Sequence, residues 1–464
     1  MSILGDAYKI RFGTSGWRDR MDSNFNDRNV LRAASGIGAY LKRHNDGGQV
    51  VVGYDTRHNS DHFAQLVCGI LNDFGFDSII SDAPAPTPAI VMAVASHKAI
   101  AGVQVTASHN PPEYNGIKFL LSSGASPLPD VTAEVERLIP DVAKPKPYSR
   151  KTFSPKEDYL LALKKRFRLN AVKGMHVVVD TRHGAGGGYL SAVLSANGAH
   201  VWELNREYDP DFCGMSPNPT EVNVQGLKDA VAANKADLGI ANDGDADRFA
   251  VVDASGRYYT ANESGLVLCD YLFNQRHEHG TLAKSVQSTA AFDRLCAHAG
   301  VKEVEVPVGF KYIAAELMKG AAFGVEGAAL GIAFGNWIPD KDGIAAGAAM
   351  CEAVGDQKVT LSQIWQRVSQ AYSYGQFVTM EFPRLGKVME TLDFLKSETE
   401  RDMFGGRKIV GRSYLDGVKL NLSDGAWFLA RVSGTEPSVR VYIEAATKKE
   451  ADELSDAARR MFGF

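Results

Sequence analysis

The chain is 464 residues long, and its 51 lysines and arginines against 55 aspartates and glutamates leave a formal charge of −4. With 45% hydrophobic and 23% charged residues it is neither disordered nor fibrous, and its length admits several domains of about 100–200 residues. So balanced a charge excludes a general nucleic-acid binder, which needs a basic surplus, yet leaves room for a small anionic substrate in a local basic pocket. Five scattered cysteines (Cys68, Cys213, Cys269, Cys296 and Cys351) lack C-x-x-C spacing and read as reduced thiols, not a disulfide frame or zinc site. The opening residues carry no apolar signal core, and no run approaches the ~20 apolar residues of a membrane helix. The expectation is a cytoplasmic protein with no membrane partner.

Short β-branched runs alternate with longer amphipathic ones. Val50 to Asp55 predicts a buried strand, followed by a helix through Phe63 to Val67. Ile100 to Thr106 predicts the next strand, Met175 to Asp180 another, and Leu238 to Ala241 and Phe249 to Val252 two more. Such alternation predicts mostly parallel α/β sheets. Val51 to Arg57 also echoes Val178 to Arg182 one domain length later, either a duplicated unit or a coincidence of β-rich sequence. A linker is expected at Lys144 to Pro147, where alternate prolines disfavour helix. Further boundaries are expected after the turn at Asp253 to Gly256 and, beyond the amphipathic helix Leu361 to Tyr372, around Ser373 to Gly375. Beyond that point short strands (Val418 to Leu422, Trp427 to Arg431, Val439 to Glu444) and a helix from Lys448 predict α+β. Four domains follow: 1–150, 151–255, 256–372 and 373–464.

Asn242 to Arg248 is the most informative stretch. Asp243, Asp245 and Asp247, separated by small residues, can converge on one hard cation with oxygen ligands, which suits Mg²⁺. An EF-hand starting at Asp243 fails, because Arg248 and Ala254 stand where it needs Gly and Glu. Three adjacent carboxylates without a cation would repel one another, which argues against a merely solvated turn. Val105 to Pro112 sets Ser108 and His109 just past a strand end, where open sheets present ligands. A serine there needs a base or metal for activation, and Lys118 can bring an ammonium back to the loop. G-x-S-x-G is absent around Ser108, so this is no α/β-hydrolase elbow.

Arg431 to Arg440 offers two guanidiniums, the hydroxyls of Ser433 and Thr435, and Gly434, either an anion cradle or a cap on neighbouring structure. Weaker signals include His183 to Gly188, which breaks the G-x-G-x-x-G pattern at Tyr189, and Gly386-Lys387, which is no P-loop. His277 and His279, two apart, do not share a helix face and read as a loop.

Taken together, these segments resemble the α-D-phosphohexomutase family over the whole chain and in the same order. Phe12 to Arg18 is similar to its opening signature, Thr106 to Pro112 to its active-serine loop, Asp243 to Arg248 to its magnesium loop and Arg431 to Arg440 to its phosphate loop. Pro307 to Tyr312 and Asp340 to Ile344 resemble sugar-domain elements. The resemblance implies three similar mixed α/β domains with mostly parallel sheets and a smaller α+β C-terminal domain around a central cleft. It implies a phosphoserine at Ser108 and one Mg²⁺ per chain on Asp243, Asp245, Asp247 and the Ser108 phosphate. Arg18 and Arg248 would supply positive charge, Lys118 acid/base chemistry, and His109 support for the loop. Thr14, Gly309, Lys311 and Glu326 would meet the sugar, while Arg431, Ser433, Gly434, Thr435 and Arg440 would clamp its distal phosphate. The expected reaction interconverts hexose 1-phosphate and hexose 6-phosphate through a sugar bisphosphate, which is activator and intermediate in turn.

One departure stands out. Where the family's sugar loop places a serine two residues after its glutamate, this chain has Ala328 after Glu326, and Leu330 follows where some members have histidine. Alanine cannot hydrogen-bond a hydroxyl, so an altered sugar preference is expected, with glucose 1-phosphate the first substrate to try. A mutase for an unusual phosphosugar, a non-catalytic phosphosugar-binding homologue and a phosphatase are the rivals. The partner is expected to be a small phosphosugar, the protein a monomer or weak dimer, and the last domain is expected to swing about Gly375.

Overall fold

The computed structural model describes residues 8–13, 15–327, 330–397, 402–433 and 437–464. The first sheet contains β1 (Trp17–Arg20), β2 (Gln49–Tyr54), β3 (Asp77–Ser81), β4 (Ala101–Val105), β5 (Tyr114–Leu121) and β6 (Thr152–Phe153), in the order β1-β5-β4-β2-β3-β6. Strands β2, β3, β4 and β6 run parallel, while β5 returns antiparallel beside β4. The runs Val50 to Val52 and Ala101 to Val105 are buried throughout, as continuous apolar strands in a sheet covered on both faces must be.

The second sheet repeats the plan. It holds β7 (His176–Asp180), β8 (His200–Leu204), β9 (Leu238–Asn242), β10 (Phe249–Asp253) and β11 (Tyr258–Tyr259), in the order β11-β10-β9-β7-β8. The third holds β12 (Leu282–Ser285), β13 (Glu303–Val306), β14 (Phe323–Glu326) and β15 (Gly331–Phe334), in the order β13-β12-β14-β15. In each unit a central parallel strand lies between two parallel neighbours, and one neighbour is followed by an antiparallel return. The echo between Val51–Arg57 and Val178–Arg182 therefore falls on topologically equivalent strands, β2 and β7, which supports the reading of a duplicated unit. The loop before the antiparallel return carries Ser108 in the first unit and Asp243 to Asp247 in the second, and it follows Glu326 in the third.

The fourth sheet is antiparallel, from β16 (Gln376–Pro383), β17 (Met403–Phe404), β18 (Arg407–Ser413), β19 (Val418–Leu422), β20 (Trp427–Val432) and β21 (Ser438–Ala445), with the order β16-β21-β20-β19-β18-β17. Helices Gly386–Ser397 and Lys448–Phe462 pack on it. This is the expected α+β domain, after three mixed α/β ones.

The second and third units share one core, in which Tyr159, Leu190, Ile240 and Phe249 pack with Leu266, Phe323 and Ile344. Helix Gly343–Gln357 joins them. Asp342 caps its N-terminus by accepting from Ala345 N at 2.8 Å, and also accepts from Tyr159 Oη and Trp337 Nε1. The first and fourth units have main cores of their own and meet the third in smaller apolar clusters around Ile338 and Val286. Among the described residues, no helix is long and apolar enough to cross a membrane.

Candidate active site

Strand β4 ends at Val105, and three residues later Ser108 takes a left-handed backbone, φ 54°. Its Oγ donates to Asp243 Oδ2 at 2.7 Å and lies 3.3 Å from His109 Nδ1. The serine loop and the acidic loop thus meet side chain to side chain across two domains. Backbone meets backbone as well: a Cβ on Gly244 would stand 2.6 Å from Ser108 O, so only glycine allows the approach.

Asp243, Asp245 and Asp247 are all buried, and one oxygen from each falls within 4.8 Å of the others. Three further segments hold this loop. Thr87 N donates to Asp245 O at 2.9 Å and its Oγ1 to Asp245 Oδ2 at 2.5 Å. Ala185 N reaches Gly244 O at 2.9 Å, and Gly343 N reaches Ala246 O at 3.1 Å. Gly343 must be a glycine, since a Cβ would lie 2.1 Å from Arg248 O. The first three units all take part in shaping the acidic loop.

Positive charge surrounds it. Lys118, opposite Gln104 on the return strand β5, places Nζ 2.5 Å from Asp245 Oδ2 and 2.6 Å from Asp247 Oδ2. Lys341 Nζ lies 3.0 Å from Asp247 Oδ2. Burial alone would favour a neutral Lys118, but Asp245 and Asp247 outweigh it and raise its pKa, so it is held as an ammonium. Burial also works against the charge on Asp247, yet Lys118, Lys341 and Arg248 keep that carboxyl below its ordinary range. Asp243 has Arg248 but neither lysine. Burial, then Asp247 and Asp245, push it up to about 8. His109 is held neutral, well below its ordinary value, by burial and by Arg248 and Arg18.

The donor set fits a hard divalent cation. Asp245 Oδ1 and Asp247 Oδ1 are buried without a hydrogen-bond partner, an unfavourable arrangement for carboxylate oxygens unless a cation takes them. Arg18 Nη1 donates to Asn110 Oδ1 at 2.8 Å, at the edge of the serine loop. Arg248 N donates to Asp243 Oδ1 at 3.0 Å, while its buried Nε has no partner.

The residues expected to meet the sugar, Glu326, Gly309 and Lys311, come from the third unit. Glu326, at the end of β14, is buried and accepts from Gly309 N at 3.0 Å. Burial raises its pKa against the pull of Lys341, Arg248 and Arg431, so charges from the second, third and fourth units all act on this carboxyl. Gly309 has φ 128°, and Lys311 lies over the Tyr312 ring at 5.5 Å, its pKa lowered by burial. Arg431 and Arg440 are register partners on β20 and β21, and both guanidiniums pull against the burial that raises the Tyr442 pKa. Arg431 Nε donates to Asp416 Oδ2 at 2.9 Å, and Asp416 also receives Val308 N at 2.9 Å. Ser433 N pairs with Ser438 O at 2.8 Å, tying the end of β20 to the start of β21. Thr14, Ala328, Gly434 and Thr435 lie outside the described residues.

Sequence reasoning assigned no role to Thr87, Lys341, Asp340 or Asp416. Lys341 and buried Asp340 belong to a segment singled out for its family likeness, so a signal existed. For Thr87 and Asp416 none did: Thr87 enters the site through Asp245, 158 residues away, and Asp416 through Arg431 on a neighbouring strand and Val308, 108 residues away.

Models of the phosphoglucomutase/phosphomannomutase family match residues 9–146 as α/β/α domain I, 157–256 as domain II, 260–372 as domain III and 380–461 as the C-terminal domain. The chain is 34% identical over 460 residues to a probable phosphoglucosamine mutase of Thermococcus gammatolerans, covering 97% of each chain. It is 30% identical over 457 residues to a phosphoglucomutase/phosphomannomutase of Thermococcus kodakarensis, covering 95% of this chain and 96% of the other. The crystal structure of a putative phosphomannomutase from Thermus thermophilus superposes with a TM-score of 0.87 at 30% identity, over 99% of this chain and 100% of that one. With every domain matched in order and relatives alike over nearly their full length, the chain belongs to the phosphoglucomutase/phosphomannomutase family, the α-D-phosphohexomutases.

Proposed function

We propose that this phosphohexomutase interconverts hexose 1-phosphate and hexose 6-phosphate through a phosphoserine at Ser108. The observation that carries the reading is the hydrogen bond from Ser108 Oγ to Asp243 Oδ2 at 2.7 Å inside a buried cluster of carboxylates and cations. A sugar hydroxyl attacks the phosphoryl group on Ser108, the P–O bond to Oγ breaks, and a sugar bisphosphate results. After the sugar turns end for end, its other phosphoryl group passes to Ser108. Such transfer asks mainly for positioning and charge.

Asp243, Asp245 and Asp247 would hold Mg²⁺ together with an oxygen on Ser108. When bound, the ion neutralises charge on the phosphoryl group and orients it. Arg18 and Arg248 add positive charge on the remaining sides, and His109 steadies Oγ. Lys118, buried as an ammonium, is the proton carrier that serves the oxygen losing the phosphoryl group. Arg431, Ser433, Gly434, Thr435 and Arg440 would grip whichever phosphate is not reacting, and Glu326 with Gly309 and Lys311 would meet the ring. A small local basic pocket suffices for this substrate in a chain of charge −4.

The relatives' names place glucosamine phosphate beside glucose and mannose phosphates on the assay panel, and Ala328 favours a shifted ranking among them. Intact-mass measurement after exposure to glucose 1,6-bisphosphate and Mg²⁺ should add one phosphate to the wild type and none to Ser108→Ala, which should also lose turnover. Turnover retained in Ser108→Ala would overturn the reading.

A further inference from the structure

The Asp-Thr-Arg echo noted in the sequence becomes a pair of clamps in the fold. In the first unit, Arg57 follows β2, and its side chain is wholly buried. Every guanidinium N–H is used. Nε donates to Asp55 Oδ2 at 3.1 Å, Nη1 to Pro111 O at 2.7 Å and Tyr114 O at 2.9 Å, and Nη2 to Ser108 O at 2.7 Å and Asn110 O at 2.6 Å. Asp55 is itself fixed by Ser60 Oγ at 2.8 Å and Thr106 Oγ1 at 2.6 Å, and Thr106 Oγ1 receives Ser108 N at 2.8 Å. One buried ion pair thus holds Ser108 at both its N–H and its carbonyl.

The second unit carries the same device without a reacting serine. Arg182 pairs with Asp180 at 3.5 Å, donates through Nε to Ser216 O at 2.8 Å and through Nη1 to Asn223 O at 2.8 Å. The connection between β8 and β9 that it holds includes Phe212, whose ring lies 5.0 Å from the Arg57 guanidinium. The second clamp braces the segment that covers the first.

We infer that Arg57 is a positioning residue for the phosphoryl-transfer step, fixing the left-handed turn at Ser108 so that Oγ points to the aspartates. Four of its five rigid donors grip the carbonyls of Ser108, Asn110, Pro111 and Tyr114 while the fifth holds Asp55, a task that only a guanidinium's fork can perform. Lysine keeps the charge but offers three donors from one point and releases part of the loop. Oγ would then wander while the phosphate and sugar contacts, made by other units, stay intact. The inference rests on the assignment of Ser108 as the phosphoryl carrier.

The test compares Arg57→Lys, Thr106→Val and Arg182→Lys in the full chain. The readouts are phosphate uptake from glucose 1,6-bisphosphate by intact mass, kcat and KM on glucose 1-phosphate, and the melting temperature. Arg57→Lys should lower uptake rate and kcat about 100-fold with KM changed less than about threefold. Thr106→Val, which keeps the side-chain shape, should lower kcat about tenfold in the same pattern, and it serves if Arg57→Lys does not fold. Arg182→Lys should lower the melting temperature comparably to Arg57→Lys while lowering kcat less than about tenfold. Normal kcat per folded molecule in Arg57→Lys or Thr106→Val, or a loss appearing only in KM, overturns the inference. A wild type that takes up no phosphate overturns the Ser108 assignment itself, and the inference with it. Uptake in the wild type with normal variants overturns the inference alone.

Discussion

The two halves of the cleft are built on opposite principles. Around Ser108 the reacting half is interlocked: Asp245 is held by Thr87 and Lys118 from the first unit, and Ala246 by Gly343 of the third. The other half, proposed to hold the distal phosphate, carries Arg431 and Arg440 on β20 and β21 and is joined to the third unit by a separate patch. There Glu444 accepts from Thr289 Oγ1 at 2.6 Å, Ala290 N at 2.8 Å and Trp427 Nε1 at 2.7 Å, beside Val286, Leu429 and Tyr442. Chemistry on buried charge requires groups fixed beforehand, because each misplaced carboxylate or ammonium costs several kcal/mol. On the proposed reading, the Arg431 and Arg440 pair has only to hold a phosphate that does not react. The joint itself is gripped, since Arg294 donates to Tyr372 O at 2.6 Å and Ser373 O at 2.8 Å.

The sharpest way to break this contrast is to strike the reacting half. Asp245→Asn, or removal of divalent cations with a chelator, should lower kcat by about 10³-fold or more, with Mg²⁺ restoring only the wild type. A variant with near-normal kcat would show that the acidic cluster is not the reacting centre. Arg431→Ala attacks the other half. It should raise KM for 1-phosphate and 6-phosphate substrates alike, by about 10–100-fold, with kcat reduced much less. A rise for one isomer only would mean that the clamp does not serve both ends.

Glu444→Gln tests the patch between the halves. It sets an amide N–H₂ against buried donors and should cost about 1–3 kcal/mol, seen as a few-fold higher KM and faster amide exchange in β16 and β21, with little change in kcat. The smallest effect concerns Asp342, whose carboxylate is taken by Tyr159, Trp337 and Ala345 N and makes no bond to the acidic cluster. Burial pushes its carboxyl up to about 6 against the pull of its donors, above an unfolded value of about 3.9. Its contribution to stability is therefore full below about pH 4 and lost as pH rises through about 6. Asp342→Asn keeps a cap and should reduce the fall in melting temperature between pH 4.5 and 7 by on the order of 2–3 °C. An unchanged slope would show that Asp342 titrates elsewhere.

Much of this protein is determined locally. The strands Val418–Leu422 and Trp427–Val432 and the helix Leu361–Ala371 fall within a residue of where apolar patterning puts them, and the last helix starts at Lys448 as expected; the helices bury one face of an amphipathic segment and the strands are buried along nearly all their length. The acidic loop declares its chemistry by composition, since three carboxylates on alternate residues have few other uses. The Asp-Thr-Arg echo was visible too, but its purpose was not, since a strand end does not say which carbonyls its arginine will take. Only the tertiary structure decided that Thr87 meets Asp245, that Lys341 joins Lys118 on Asp247, and that Arg57 holds the Ser108 loop. Those contacts join segments that the sequence separates widely, and their energies arise from burial that exists only once the units have packed.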